Sequence, residues 1–353
     1  MFAGYSRRPG GGGQALPSVV QLSISRYQRA LPKRGEPLQF LVAVHEEGTG
    51  VAWQRNVTLD PRDERFLVGA VADLHRWSTG AGLTSESAAA LAARVGDTLV
   101  AAFLGPPGRE ALRRLEPTAV LLRVDETVLD LPWELVQASA SELALEVPFG
   151  RIVTTRELPR RRRDPLAEDP ELRILAVGGA GDLAAAGAEL AALRDLEQTV
   201  TDARVKVELL DGGQATRAAL TAAVDGGDFD ILHFAGHGAF ADRQPATSAL
   251  LLADGLLTAD DVLALPWGEK PPYIVFSSAC ESARAGGRRR LVTRSGRANG
   301  LAAAFLAAGV EAYLGYFWPV LDDAAAEFAA TFYGSLFASR NIGQAVLEAR
   351  LQA

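Results

Sequence analysis

The chain has a single cysteine, Cys280, in 353 residues. With no second cysteine it has no disulfide framework of its own and no thiolate cluster for a metal. That scarcity fits a reducing compartment, and a cytoplasmic location is the expectation. Histidine is almost as scarce, with four. His45 and His75 lie in the first half without a cysteine or carboxylate–histidine cluster at ligand spacing. They read as surface or packing residues, and no metal or other cofactor is expected. The opening residues, Met1-Phe-Ala-Gly-Tyr-Ser-Arg-Arg-Pro9, lack the apolar core of a signal peptide. No uninterrupted apolar run approaches the roughly 20 residues of a spanning helix, so no membrane partner is expected. Positive charge is in deficit as well. A formal net charge of −7 gives no general attraction to nucleic acid or to an anionic membrane.

What is present is an ordinary globular composition, 48 % hydrophobic and 22 % charged, long enough for two or three compact units. Residues 1–17 carry Gly10-Gly-Gly-Gly13 and read as a flexible tail. Residues 18–160 read as a β-rich α+β accessory half. Val19 to Tyr27, Leu38 to His45 and Val51 to Leu59 are strand-like. Helices are expected over Pro61 to Trp77, Ser85 to about Leu104, and Gly108 to Leu115. Ser85 is the expected cap of the second, and Pro106-Pro-Gly108 its stop. Ala119 to Val136 reads as two strands around a turn, and Leu143 to Leu158 as further strand. Residues 161–171 belong to an Arg- and Pro-rich linker that includes Arg160-Arg-Arg-Arg163. No aromatic residues interleave these arginines and acidic residues follow at once, so a solvated connector suits them better than a nucleic-acid contact.

From 172 to 353 strands and helices alternate, the signature of a parallel α/β sheet. Arg173 to Val177 and Val205 to Leu210 are strands, with helices over Ala185 to Ala203 and Thr216 to Val224. Gly178-Gly-Ala-Gly181 lacks the glycine spacing and the ribose acid of a dinucleotide site. Two apolar runs then stop at reactive side chains. Phe229 to Ala235 is broken by Gly236-His237-Gly238, and Tyr273 to Ser278 ends just before Cys280. In a parallel sheet the C-terminal ends of the strands share the edge where sites are built, so neighbouring strands would bring His237 and Cys280 together. A nearby imidazole can take the thiol proton or stabilise the thiolate that attacks. Backbone N–H groups of Gly238 and Cys280 would then hold a developing oxyanion. The same two residues also suit a buried free thiol and a core histidine. Beyond them, helices are expected over Asn299 to Ala308, Asp322 to Phe337 and Asn341 to Leu351, with Phe328, Phe332 and Phe337 in the core.

Five phrases stand in order in this half: His233-Phe-Ala-Gly-His-Gly238, Leu250-Leu-Leu-Ala-Asp-Gly-Leu-Leu-Thr-Ala-Asp-Asp261, Ser278-Ala-Cys-Glu-Ser282, Gly300-Leu-Ala-Ala-Ala-Phe-Leu-Ala-Ala-Gly309 and Gly315-Tyr-Phe-Trp-Pro-Val-Leu-Asp-Asp323. Together they resemble the CHAT family of caspase-like cysteine peptidases, relatives of caspases, metacaspases and separase. Leu131-Pro-Trp-Glu134 extends the resemblance upstream. The resemblance implies a caspase-like α/β fold, a mostly parallel sheet flanked by helices. It implies His237 as general base, Cys280 as nucleophile, His233 as a structural residue, and a protein or peptide as substrate.

Metacaspases hold a basic substrate side chain with an acid two residues before the nucleophile. That position here is Ser278, which leaves Asp182, Glu189 and Asp254 as candidate replacements in the substrate pocket. In caspase-like proteins the loop after the nucleophile is often cut on activation. Residues 284–297 carry Arg284, Arg288, Arg289, Arg290, Arg294 and Arg297 with three glycines, and suit self-cleavage after Arg or cleavage by an upstream protease. A surface insertion is the plainer alternative. The expectation is a zymogen cysteine endopeptidase, set in bacterial defence or regulated cell death and answering to an activating protease or regulatory partner. The rival is a catalytically silent caspase-like scaffold in a signalling complex.

Overall fold

The computed structural model describes residues 18–26, 37–49, 52–125, 128–137, 141–152, 165–168, 171–181, 184–200, 204–239, 247–268, 271–280, 282 and 300–353. The chain divides into two compact units, with the division between 154 and 155.

In the first unit, β1 (Val19–Arg26), β2 (Gln39–Glu46) and β3 (Ala52–Thr58) form an antiparallel meander. Apolar residues alternate along β1 and β2, so Val20, Leu22, Ile24, Phe40, Val42 and Val44 share the buried face. Helix α1 (Pro61–Ser78) starts at Asp60, whose carboxylate accepts from the Arg62 N–H, with Pro61 in the first turn where its missing N–H costs nothing. Helix α2 (Ser85–Leu99) is capped by Thr84 rather than Ser85, because the Thr84 hydroxyl accepts from the Ser87 N–H. A π-helical turn, Val100–Leu104, follows. Gly105, at φ 62°, then redirects the chain into α3 (Gly105–Leu115), where Pro106 and Pro107 sit in the first turn. The joined run 85–115 is long and apolar enough to cross a bilayer by length and composition alone. Val95, Leu99, Phe103 and Leu112 along it are buried in the chain itself.

Strand β4 (Ala119–Val124) pairs parallel with β1. The second strand expected before Val136 does not form. Trp133–Leu135 is a 3₁₀ turn instead. Trp133 is 1 % exposed, donates its indole N–H to the Val128 carbonyl at 2.8 Å, and meets Phe103 edge-on at 4.9 Å. Burial of that ring wins over local strand propensity. Likewise α4 (Leu143–Glu146) occupies the start of the expected later strand, and among its described residues β5 (Phe149–Ile152) is the strand, parallel to β4. The sheet order is β3-β2-β1-β4-β5.

The second unit opens with α5 (Pro165–Glu168), a turn of helix inside the expected linker, with Leu166 in the unit's core. Then come β6 (Glu171–Gly178), α6 (Ala184–Thr199), β7 (Arg204–Leu210), α7 (Arg217–Gly226), β8 (Ile231–Ala235), β9 (Gly238–Ala239), β10 (Ala249–Leu252), β11 (Gly255–Thr258), α8 (Ala259–Ala264), β12 (Ile274–Ser278), α9 (Leu301–Ala307), β13 (Ala312–Gly315), α10 (Asp322–Ser339) and α11 (Ile342–Gln352). The main sheet runs β13-β12-β8-β6-β7 and every pair in it is parallel. Its central strands are apolar on both faces, as a sheet covered by helices requires. Ile174, Ile231, Ile274 and Phe276 face a cluster with Leu190 and Leu193 of α6 and Phe332 and Leu336 of α10. Leu175, Leu232, Phe234 and Val275 face the other, with Leu220 of α7, Val262 of α8 and Phe305 of α9. Phe332 and Phe337 are buried as expected, and Phe328 packs against the first cluster. The small antiparallel sheet β11-β10-β9 stands past the end of β8.

Candidate active site

The register of the two central strands sets the site. Ala235 of β8 pairs with Ser278 of β12. His237 follows the first by two residues and Cys280 follows the second by two. Equal offsets beyond paired strand ends deliver both side chains to the C-terminal edge of the sheet. His237 is exposed there and Cys280 is half-buried.

Close backbone contacts build that edge. The Gly236 N–H donates to the Ser278 carbonyl at 3.1 Å, and the Gly179 N–H to the Ala235 carbonyl at 2.8 Å. A β-carbon on Gly236 would lie 2.7 Å from the Gly179 α-carbon, so the glycines let the loops after β6 and β8 touch. The His237 ring lies over Gly181, whose φ of 114° favours glycine. Beyond His237 the chain joins the hairpin, and the Leu251 N–H donates to the His237 carbonyl at 3.0 Å. Gly238 and Leu250 therefore form a non-hydrogen-bonded pair, and the Gly238 N–H turns away from β10. Gly238 packs against the Cys280 carbonyl, leaving no room there for a β-carbon.

The turn after Cys280 is fastened from below. The Ser282 hydroxyl donates to the Ser277 carbonyl at 3.0 Å, and the Tyr313 hydroxyl donates to the Ser282 carbonyl at 2.9 Å. Burial pushes the Tyr313 hydroxyl up to about 12, so it stays protonated as a donor at neutral pH.

Of the pocket candidates, the structure brings Glu189 and Ser278 together. The Ser278 hydroxyl donates to Glu189 Oε2 at 2.9 Å, and both are buried, 7 % and 5 % exposed. Asp254 lies elsewhere, at the β10–β11 turn, where its carboxylate accepts from the Arg217 N–H at the start of α7. Asp182 lies outside the described residues, as do Arg284, Arg288, Arg289, Arg290, Arg294 and Arg297. Among the described residues no cluster of His, Cys, Asp and Glu has the makings of a metal site.

Sequence reasoning missed how deep this polar cluster goes. His233, fully buried, lies with Nε2 3.0 Å from Glu189 Oε1 and Nδ1 3.0 Å from the Tyr333 hydroxyl. A signal existed. Glu189 falls on the apolar stripe of its helix with Ala186 and Leu193, where a charge is out of place.

The family model described as CHAT domain matches residues 85–353. It begins within the first unit, ahead of Leu131-Pro-Trp-Glu134, and runs through both reactive residues. No curated protein matches the chain.

Proposed function

The chain belongs to the CHAT-domain family, a caspase-like family, and from that premise we propose that it is a cysteine endopeptidase working through His237 and Cys280. The observation that carries the reading is the register of β8 and β12, with a reactive residue two positions beyond each paired end.

In the proposed reaction His237 accepts the Cys280 thiol proton and the thiolate attacks a peptide carbonyl carbon. The oxyanion accepts from the Gly238 and Cys280 N–H groups. Collapse expels the amine, which takes the proton from His237, and leaves a thioester on Cys280. Water, deprotonated by His237, then releases the acid and restores the thiol.

Regulation is part of the proposal. The enzyme is a cytoplasmic zymogen, matured by a cut within 284–297, made by itself or by an upstream protease. The six arginines there are the sites that an enzyme cutting after Arg would process in itself. The test is hydrolysis of a mixed-residue fluorogenic peptide panel by wild type, Cys280→Ala and His237→Ala, each before and after limited nicking of 284–297. Activity in the wild type alone, appearing on nicking, supports the reading. Equal activity in Cys280→Ala overturns it, and inactivity of all three with an unreactive Cys280 favours the scaffold.

A further inference from the structure

The two strands that carry the reactive residues are tied together one layer below them by a single carboxylate. Strand alternation places His233 of β8 and Ser278 of β12 on the sheet face covered by α6 and α10. They are diagonal neighbours, since His233 pairs with Phe276 and Ser278 with Ala235. Glu189 descends onto them from α6. Its Oε2 accepts from the Ser278 hydroxyl at 2.9 Å, and its Oε1 lies 3.0 Å from His233 Nε2. The second approach is too bent for a full hydrogen bond, so it acts as the attraction of a charge for an N–H dipole. Tyr333 of α10 sets the direction of that dipole. Its hydroxyl lies 3.0 Å from Nδ1, and a phenol donating there would put the ring proton on Nε2, facing the carboxylate.

A carboxylate that is 5 % exposed is costly unless it is bonded. Leucine at 189 would extend the stripe of Ala186 and Leu193 without that cost. What leucine lacks is the ability to accept from Ser278 of one strand while its charge draws the imidazole of the other. The hydroxyl of Tyr316, just past β13, belongs to the same neighbourhood. Burial and then the Glu189 charge raise its pKa, against a hydrogen bond with the Ser278 side chain that lowers it.

We propose that Glu189 is a positioning residue, a clamp that holds the ends of β8 and β12 at the spacing at which His237 and Cys280 couple. The clamp rests on the dyad reading above. It acts through Ser278, two residues before Cys280, and through His233, four before His237.

The test reads the coupling directly. Cys280 is the chain's one cysteine, so the pH dependence of iodoacetamide alkylation reports its thiolate alone. Coupling to His237 draws the wild-type midpoint below that of His237→Ala. Glu189→Ala is expected to raise the midpoint by about one pH unit, toward the ordinary thiol value of roughly 8.5. Loss of a buried anion by itself would lower the midpoint, so a rise is the signature of lost alignment. Ser278→Ala, which cuts one tie and removes no charge, is expected to shift it the same way by less. Glu189→Gln, which spans the same contacts once His233 switches tautomer but loses the charge, is expected to leave the midpoint unchanged or lower it, and not to raise it.

Thermal unfolding checks each variant. A folded Glu189→Ala with an unchanged or lowered midpoint overturns the clamp. If that variant does not fold, an unchanged midpoint in Ser278→Ala overturns it. If wild type and His237→Ala share one midpoint, the dyad reading falls and the clamp with it. If those two differ and Glu189→Ala matches wild type, the clamp alone falls.

Discussion

A β-carbon on Gly238 would stand 2.7 Å from the carbonyl oxygen of Cys280. That is backbone against side chain, with no flexible group to give way. Gly238→Ala is therefore expected to push the loop after β8 off the Cys280 turn. The overlap costs about 1–3 kcal/mol, a drop in Tm of several degrees. Peptide hydrolysis is expected to fall at least about tenfold, because the proposed oxyanion donor moves with the loop. Calorimetry and the fluorogenic assay check the two effects separately.

Gly181 tests the imidazole from its other side. An added β-carbon would meet the His237 ring at 3.1 Å, at a residue whose φ of 114° suits glycine. Gly181→Ala is expected to lower kcat several-fold with a smaller change in KM, as for a displaced proton carrier. Steady-state kinetics after nicking of 284–297 reads that split.

Asp261 gives a pH prediction. Burial alone would raise its pKa, but the Arg217 guanidinium at 2.5 Å and the Thr258 hydroxyl and N–H outweigh it, bringing the carboxyl down to about 2. A depressed carboxylate pKa contributes stability above the unfolded value of roughly 3.9 and loses it as pH falls through the folded one. Arg217 is 44 % exposed, so solvent screening reduces the contribution to about 1 kcal/mol. Asp261→Asn is expected to be less stable than wild type by that amount at pH 7. The gap should narrow below about pH 4 and close near 2, read as denaturant midpoints across pH.

Trp133 anchors the first unit. It packs edge-on to Phe103, which meets Phe40 of β2 at 5.5 Å. Trp133→Ala is expected to cost about 3–5 kcal/mol, the range for emptying a buried aromatic site. Trp133→Phe, which loses the bond to the Val128 carbonyl but keeps much of the ring, should cost about half as much or less. Urea unfolding followed by circular dichroism measures both.

The second unit was the more legible in the sequence, because its strands are continuous apolar runs bounded by glycine and proline. Ile231–Ala235 and Ile274–Ser278 could be placed, and with them the edge that holds His237 and Cys280. Leu131-Pro-Trp-Glu134 was recognisable as a phrase but not as a turn, since the pull of Phe103 on Trp133 comes from a residue distant in the chain. The cap on α2 falls one residue before the Ser85 that the sequence suggests, because Thr84 and Ser85 are both good caps and only the geometry chooses. The site's lower layer was hidden for the same reason. Glu189, His233, Ser278 and Tyr333 lie on four separate elements, and no local pattern joins them.

The most direct test of the account is the intact mass of the nicked protein after brief exposure to a peptidyl acyloxymethyl ketone chosen from the residue preferred in the panel. One adduct on Cys280 is expected, its rate cut at least about a hundredfold in His237→Ala, the scale of a lost general base. An adduct that forms equally fast in His237→Ala would contradict the coupling of the two residues. Peptide hydrolysis that survives in Cys280→Ala would place the chemistry elsewhere.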